Sequence, residues 1–453
     1  MTILVPIALF GWIPIVLFLF VSLPARRAVI VAFLFAWLFL PVTGYSLPGL
    51  PDYTKMTATS YGVILGVLLF DVGRLMRLRF SWFDLPMVVW CLVPFASSVS
   101  NGLGAYDGVS GVVGATITWG IPYFIGRLYF NDLEGLRELA IGIFIGGLIY
   151  VPLCLYEIRM SPQLHRMVYG FHARGWGGTR FGGYRPAVFM DTGLALGMWM
   201  TAASLIGIWL WRAKALLSAW KIPMAMLVPV LLITTILCKS TGALALLAGG
   251  IGVLFLTNWT RLRVFLMCLV LVPIGYVVVR STGDWSGRAV VEMAKVISEE
   301  RARSLNGRLV NEDILAEKAW QRPLFGWGGW GRNRVYDDYG KDITVTDGLW
   351  IIAFGQHGLV GLMALYGVFL LPSVMLVWRV SAGQWSNASF APVGVLAVFM
   401  VLFSIDQLLN AMPNPVFVVC AGGLGGIAIA LGRRRIGVAG TPLSPFTLKP
   451  HIV

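Results

Sequence analysis

Long apolar runs separated by short polar connections repeat along almost the whole chain. Many runs are about 17 to 22 residues long, the length of an α-helix that crosses a hydrocarbon layer roughly 30 Å thick. Lipid offers no hydrogen-bond partner to an open backbone amide, so each run is predicted to be helical. The pattern therefore predicts an all-α polytopic membrane protein with about 12 to 13 transmembrane helices and a helical loop domain on the external side, which the family resemblance described below makes periplasmic.

The apolar runs place about thirteen spans along the chain. They cover residues 3–23, 27–42, 59–73, 84–100, 109–129, 137–158, 186–211, 222–238, 241–257, 262–280, 347–378, 388–408 and 414–432. The second and third spans are short, and the span 347–378 is long enough to begin as a tilted or re-entrant piece. In a version with twelve spans, one N-terminal segment lies in the membrane interface. The N-terminus lacks signal-peptide features, so it is expected to be a retained span.

Two long polar segments divide the chain into regions. These are N-terminal transmembrane helices 1–158, an arginine-rich periplasmic loop 159–185, central transmembrane helices 186–280, a large periplasmic loop domain 281–346, C-terminal transmembrane helices 347–435 and a cytoplasmic tail 436–453. In the large loop, AVVEMAKVISEERAR and GRLVNEDILAEKAW have amphipathic helical spacing, so this loop is expected to be folded. The tail is expected to be disordered.

The composition, 58% hydrophobic and 12% charged, excludes a soluble globular protein. The net charge of +14 is explained largely by membrane topology, so no nucleic-acid partner is expected. Short loops rich in arginine and lysine alternate with short loops in which Lys55 is the only basic residue. The positive-inside rule makes the basic loops cytoplasmic and the long loops 159–185 and 281–346 external.

Cysteine and histidine patterns predict neither a disulfide framework nor a metal site. All five cysteines fall in apolar runs and are predicted to be buried packing residues: Cys91, Cys154, Cys238, Cys268 and Cys420. We expect no metal and no cofactor. His357, in FGQHGLVGL, is expected to be a packed or hydrogen-bonded helix residue rather than a base.

The loop 159–185 holds five arginines, Arg180 and Arg185 among them, and no acidic residue. Guanidinium groups bind phosphate in a planar fork, although anionic headgroups or acidic groups elsewhere in the protein are an alternative. Pro186 suits the first turn of a helix, which would place Arg185 at the positive end of a helix dipole. Asp191 is expected to be either the ion partner of Arg185 or part of a polar cavity.

The second amphipathic helix of the large loop carries Arg308 and Glu312 at i,i+4, which predicts an ion pair on its surface. The GWGGWG stretch has neither the strand nor the lysine of a phosphate loop, so its glycines are predicted to permit tight turns. Trp327, Trp330 and Tyr336 are predicted either to stack on sugar faces or to anchor at the membrane interface.

Two further charged residues lie at span ends. Lys239, at the external junction of two short spans, either snorkels to the surface or joins the arginines. Asp406, near the external end of the next-to-last span, is a costly charge within the membrane and marks a candidate functional position.

Four stretches, taken in order, resemble the O-antigen ligase and O-antigen polymerase (Wzy/WaaL-like) superfamily, bacterial inner-membrane enzymes of polysaccharide assembly. The stretches are YRPAVFMDTGLALGM, KSTGALALLAGG, GRLVNEDILAEKAWQRPLFGWGGWG and VTDGLWIIAFGQHGLVGLMAL. In the second, Thr241 stands where the family usually has arginine. The likeness covers roughly residues 160 to 375.

The resemblance implies transfer of a glycan from a polyprenyl (undecaprenyl) pyrophosphate carrier to an acceptor hydroxyl, with inversion, at the periplasmic face. It also implies that neither nucleotide nor metal takes part. Arg185 and Arg308 are the implied pyrophosphate contacts, and Lys239 and Arg180 are further candidates.

The chain departs from the family's ligases just before the span that begins near residue 347. Those ligases carry a histidine there, whereas this chain has Thr346 and Asp347. A carboxylate at the mouth of a span can act as general base or cap the following helix, and Asp347 is our candidate for both roles.

The sequence therefore predicts a membrane glycosyltransferase, an O-antigen or exopolysaccharide polymerase that takes its glycan from a polyprenyl-pyrophosphate donor. One alternative is an O-antigen ligase that transfers the glycan to lipid A–core or another acceptor. A transporter or flippase of lipid-linked glycan is the alternative of another class. The expected partners are the lipid-linked oligosaccharide and the bilayer, with a chain-length regulator as an optional one.

Overall fold

The computed structural model describes residues 2–47, 49, 51–173, 179–180, 182–283 and 285–437. Over these residues the chain is predominantly helical, as predicted. The α-helices are α1 Leu4–Phe10, α2 Trp12–Ser22, α3 Ala25–Phe39, α4 Lys55–Phe70, α5 Val72–Leu75, α6 Leu85–Ser100, α7 Ala105–Ala115, α8 Ile121–Tyr129, α9 Leu133–Met160, α10 Leu164–Tyr169, α11 Gly193–Arg212, α12 Met224–Leu237, α13 Thr241–Thr260, α14 Val264–Thr282, α15 Arg288–Ile297, α16 Glu299–Trp320, α17 Leu349–Arg379, α18 Ala391–Leu409 and α19 Pro415–Gly437.

The remaining regular structure is short. Single 3₁₀ turns cover Trp82–Asp84 and Ala382–Ser386, and a π-helical turn, Thr116–Gly120, joins α7 to α8. Three antiparallel hairpins pair two-residue strands. The strands are β1 Gly44–Tyr45, β2 Tyr53–Thr54, β3 Thr179–Arg180, β4 Gly183–Tyr184, β5 Ser218–Ala219 and β6 Ile222–Pro223.

Within the described residues, nine helical segments are long and apolar enough to cross a membrane. They are Trp82–Ser100, Ala105–Tyr129, Leu133–Met160, Gly193–Arg212, Thr241–Thr260, Val264–Thr282, Leu349–Arg379, Ala391–Leu409 and Pro415–Gly432. Helices α1 and α2, bent by 44°, make a tenth span if they are counted as one. Every span predicted from the sequence overlaps a helix, but α3, α4 and α12 are shorter than these segments. The chain is a multi-pass, all-α membrane protein.

The centre of the bundle is formed by α11, α18 and α19. In the apolar stretches of these three helices, 89%, 83% and 83% of the residues are buried inside the protein. In the apolar stretches of α13 and α14, only 28% and 22% of the residues are buried. Helices α13 and α14 therefore lie at the periphery and expose their apolar side chains to lipid. Cys268 on α14 is accordingly exposed, so its predicted burial is wrong, while the other four cysteines are free and buried.

The predicted helix start at Pro186 is wrong, because α11 begins only at Gly193. The Thr192 side chain caps α11 by accepting a hydrogen bond from the Ala195 amide at 3.2 Å. Residues 185–192 form an irregular segment instead. Its backbone amides bind the buried carboxylate of Glu157 on α9, which satisfies them without an added helical turn.

Helix α17 is broken at Gly358, where φ is 64° and ψ is −164°. Residues 323–328 dock into the break, and the Trp327 amide donates to the Gly355 carbonyl at 2.9 Å. A Cβ atom on Gly358 would lie 2.3 Å from the Leu324 backbone, so only glycine permits this approach. The loop ahead of α17 is thereby bound to the helical bundle by backbone hydrogen bonds.

Helix α16, in the large loop, is fixed by the buried carboxylate of Glu312. It accepts hydrogen bonds from the Tyr276 hydroxyl at 2.7 Å and from Arg280 Nε and Trp350 Nε1 at 3.1 Å each. Burial raises the pKa of Glu312, and these hydrogen bonds oppose that shift. The predicted ion pair between Arg308 and Glu312 is wrong, because Glu312 faces α14 and α17 while Arg308 reaches the end of α18.

Candidate functional site

Four arginines from three separate segments converge at one end of the bundle. Arg185 interacts electrostatically with Arg180 of strand β3 and with Arg301 and Arg308 of helix α16. We call Arg180, Arg185, Arg301 and Arg308 the arginine cluster. Two of the predicted phosphate contacts in the 159–185 loop are thus brought together with the one predicted in the large loop.

Arg185 lies deepest in the cluster, with 9% of its surface exposed. One terminal nitrogen donates to the Ser240 hydroxyl at 2.9 Å. Its buried Nε–H has no acceptor among the described residues. Burial lowers the pKa of Arg185 to about 10, and the other three arginines add to that shift. The side chain is still charged at neutral pH, and a ligand anion would relieve both the repulsion and the missing hydrogen bond.

Helix α16 contributes two arginines from one face, because residues seven apart lie two turns apart on the same side of a helix. Arg301 donates a hydrogen bond to the Thr241 hydroxyl at the start of α13. Burial lowers its pKa, and the neighbouring Arg180 contributes to that shift. Arg308 donates to the Leu409 carbonyl at 2.9 Å and to Asn410 Oδ1 at 3.2 Å. Helix α16 therefore connects the start of α13 with the end of α18.

Asp347 lies directly beside the cluster. Its Oδ2 atom is 3.6 Å from Nε of Arg308, and its side chain is 38% exposed. The N-cap of α17 is Gly348, and no side chain caps that helix. The capping role expected for Asp347 is therefore wrong. Its carboxylate is left accessible to a ligand hydroxyl next to a guanidinium group.

Lys239 approaches the β3–β4 hairpin that carries Arg180. It lies in the turn between α12 and α13 with φ of 55°. A Cβ atom added to Gly183 would lie 2.3 Å from the Lys239 ammonium nitrogen, so the glycine makes room for this side chain. The structure therefore brings the weakest of the predicted cationic candidates to the same end of the bundle as the arginines.

Asp191 does not pair with Arg185, so that expectation is wrong. One Asp191 oxygen is buried without a hydrogen-bond partner among the described residues. Its electrostatic partner is Lys55, whose ammonium group donates to the Phe189 carbonyl at 3.2 Å. The irregular course of residues 185–192 separates the two side chains that a continuous helix was expected to bring together.

Asp406 supports the cluster from within α18. Its carboxylate accepts from Asn410 Nδ2 at 2.8 Å and from Gln407 Nε2 at 3.2 Å. It also interacts electrostatically with Arg308 and Arg185. Asn410 thus links Asp406 to Arg308 and orients both.

A cavity of about 730 Å³ lies next to Asp347, between α6, α7 and the first half of α17. This volume is within the range of small-molecule sites. Thr346 and Leu349, on either side of Asp347 in the chain, line it. The other lining side chains include the aromatic residues Trp90, Trp119 and Trp330 and the polar residues Ser98, Asp107, Ser110, Gln356 and His357. Such a mixture of aromatic and polar groups suits a sugar.

The three aromatic residues singled out in the sequence differ in accessibility. Trp327 has its ring covered by the Lys318 ammonium group at 3.9 Å and donates its indole N–H to the Lys318 carbonyl at 2.8 Å. Trp330 is 69% exposed at the cavity, with the Arg334 guanidinium 5.0 Å from its ring. Tyr336 is 48% exposed and donates to the Gly331 carbonyl at 3.0 Å. Of the three, only Trp330 lines the cavity.

His357 is packed and hydrogen-bonded, as expected. Its Nδ1 atom lies 3.2 Å from the Ser97 hydroxyl, and its ring packs edge-on against Trp90. In the part of the chain that the structure describes, no three His, Cys, Asp or Glu side chains form a group able to hold a metal ion.

Sequence reasoning missed three residues that organise the site. Arg301 falls in line with Arg308 at a spacing of seven, a signal available in the sequence. Glu157 and Asn410 act through long-range contacts and gave no local signal. No protein-family model matches the chain, and no curated protein matches it.

Proposed function

We propose that this chain is a polysaccharide polymerase, an inverting membrane glycosyltransferase. It would transfer glycan from a polyprenyl-pyrophosphate carrier to an acceptor sugar hydroxyl. The observation that carries the proposal is the convergence of the arginine cluster with an accessible carboxylate, Asp347, beside a cavity lined by aromatic and polar groups. The resemblance of four sequence stretches to the O-antigen ligase and polymerase superfamily supports it.

The arginine cluster is suited to the leaving group. As the bond between the anomeric carbon and the phosphate oxygen breaks, negative charge grows on the departing diphosphate. The buried Arg185 and the partly exposed Arg308 are charged donors already held in place by Ser240 and Asn410. Little reorganisation is then needed when charge develops, which is how preorganised donors lower a barrier.

Asp347 and the cavity are suited to the acceptor. In this scheme the acceptor glycan occupies the 730 Å³ cavity and stacks on Trp330. Its hydroxyl oxygen attacks the anomeric carbon from the side opposite the diphosphate, and the hydroxyl proton passes to the Asp347 carboxylate. The new glycosidic bond forms as polyprenyl diphosphate leaves, so the configuration inverts.

The positive-inside rule supports a periplasmic location for this site. Basic residues of the short loops, such as Arg26, Arg212 and Arg263, lie at the ends of spans away from the arginine cluster. We propose that the end with these basic short loops faces the cytoplasm and that the membrane is a bacterial inner membrane. The arginine cluster then opens on the periplasmic side, where lipid-linked glycan would be delivered.

The proposal is tested with purified full-length chain in liposomes that contain a polyprenyl-pyrophosphate repeat unit. Chain length is followed on a gel. We expect wild type to extend the glycan and Arg308→Gln to be about 100-fold slower, as for loss of one preorganised charge-stabilising donor. Arg303→Gln, an exposed arginine on the same helix, serves as the matched control and should keep wild-type activity.

Two results would reject the polymerase. One is the absence of elongation by wild type with every repeat unit and acceptor offered. The other is unchanged elongation by a double variant that combines Arg185→Gln with Arg308→Gln. Retained elongation by Asp347→Asn would remove Asp347 from the scheme and leave the arginine cluster in place.

A further inference from the structure

A second cavity, of about 440 Å³, opens at the opposite end of the bundle from the arginine cluster. Helix α9 starts at this cavity and ends where Glu157 holds the segment that follows Arg185. The helix has 28 residues and so spans about 42 Å at 1.5 Å per residue. The two sites are thus separated by roughly the full thickness of a bilayer, and this cavity plays no part in the proposed transfer.

Five arginine side chains line this cavity, which we call the basic cavity. They are Arg26, Arg74, Arg77, Arg79 and Arg127. Three of them have carboxylate partners: Asp132 for Arg26 at 2.6 Å, Asp71 for Arg74 at 3.6 Å and Asp84 for Arg127 at 2.6 Å.

Arg77 and Arg79 differ from the other three. Both are exposed, and neither forms an ion pair with a carboxylate of the described chain. Because the partnered arginines are already neutralised, these two supply the net positive charge of the cavity. Two guanidinium groups that line one cavity and have no carboxylate partner repel each other, and an anion bound between them relieves that repulsion.

The segment that carries these arginines is built to lie at a lipid surface. Met76 is 83% exposed, Phe80 67% and Trp82 83%, an exposure of large apolar side chains that is unfavourable in water. Tryptophan and arginine together are typical of the headgroup level of a membrane. Leu78 and Ile429 add an apolar wall to the cavity itself. A ligand here meets both guanidinium groups and acyl chains.

We propose that the basic cavity binds the headgroup of an anionic phospholipid that carries two phosphates, a cardiolipin. Arg77 and Arg79 each hold one phosphodiester through a forked pair of N–H donors. The apolar wall and the exposed Phe80 and Trp82 contact the glycerol and the upper acyl chains. Basic pockets between membrane helices are suited to such headgroups. The same phosphate chemistry is available in free phosphate, which lacks the apolar part.

The test uses the full-length chain in neutral detergent and native mass spectrometry, with cardiolipin titrated against phosphatidylglycerol and phosphatidylcholine. We expect cardiolipin to bind most tightly and phosphatidylcholine least. The double variant Arg77→Gln with Arg79→Gln should bind cardiolipin about 30-fold more weakly, because each arginine near the surface contributes about five- to sixfold. The matched control, Arg212→Gln with Lys221→Gln, removes the same charge from exposed positions outside the cavity. It should bind nearly as wild type does.

Three results would overturn the proposal. The first is equal affinity of wild type for cardiolipin and phosphatidylcholine. The second is an equal loss of cardiolipin in the matched control, which would indicate general charge attraction. The third is displacement of cardiolipin by millimolar inorganic phosphate, which would indicate a free-anion site. Circular dichroism of each variant establishes that it is folded. The double variant Arg77→Lys with Arg79→Lys keeps the charge but not the forked donors, so it should lose part of its affinity for cardiolipin.

Discussion

The position of Arg185 depends on one buried carboxylate, that of Glu157, which is only 1% exposed. Its Oε2 atom accepts from the amides of Ala187 at 2.9 Å and Val188 at 2.7 Å, and Oε1 accepts from the Leu164 amide at 2.9 Å. In Glu157→Gln, the one remaining oxygen is a neutral acceptor, which weakens its hydrogen bonds to Ala187 and Val188, and the NH₂ group faces a backbone N–H whichever way the amide is turned.

The size of the effect follows from these contacts. Loss of a hydrogen bond to a charged acceptor costs about 1.5–3 kcal/mol. Val188 is held at φ of 55°, a conformation that is unfavourable for a β-branched residue and that opening would relax. We therefore expect local opening of residues 185–192 to become easier by about 2 kcal/mol, which is about a 30-fold increase in the open population.

Hydrogen–deuterium exchange followed by mass spectrometry measures this opening. We expect the amides of Ala187 and Val188 to exchange about 30-fold faster in Glu157→Gln than in wild type. Glu134→Gln is the matched control, because Glu134 lies on the same helix and its side chain is 45% exposed. Unchanged exchange at Ala187 and Val188 in a folded Glu157→Gln protein would refute the reasoning.

Three further predictions concern the fold and the site. Glu312→Ala removes one of the two carboxylate partners of buried Arg280, which keeps Asp313 at 2.9 Å, and leaves the Tyr276 and Trp350 donors without their acceptor. It should destabilise the protein by about 3 kcal/mol, measured as a fall in Tm in detergent, whereas exposed Glu317→Ala should change the stability by less than about 0.5 kcal/mol. In Arg185→Lys, the same burial and the neighbouring arginines that lower the pKa of Arg185 should lower the pKa of the lysine, which starts from a lower ordinary value than arginine. Because only the protonated form binds an anion, donor binding by this variant should weaken as the pH rises and should be lost at a lower pH than in wild type. Trp330→Ala should raise KM for the acceptor about fivefold with little change in kcat, and Tyr339→Ala, at a side chain 97% exposed, should leave KM unchanged.

Hydrophobic periodicity located the long apolar helices of the described residues, because the energetics of burial in lipid act on each span separately. It did not locate the start of α11. Residues 186–192 are apolar enough for a helix, but Glu157, about thirty residues earlier in the chain, offers acceptors to their amides. A competing partner that is distant in sequence is invisible to a local pattern.

The large loop shows the same limit in its ion pairs. Spacing on α16 correctly predicts a helix but suggests the wrong partner for Glu312, because a buried donor on α14, Arg280, is not visible from local spacing. Residue type indicated Arg180 and Arg185, since arginine is the side chain that holds its charge when partly buried, whereas Arg308 was indicated by the family resemblance. Their convergence is a property of the tertiary fold.

The break in α17 has a consequence for protein engineering. Residues 323–328 and the half-helix that follows Asp347 share backbone hydrogen bonds, so they form one mechanical unit. A chimera that exchanges only the glycine-rich stretch with another protein would leave amides at the break without acceptors. Segment grafting would have to transfer residues 321–360 together, whereas the exposed tip around Tyr339 would accept an epitope tag without disturbing that unit.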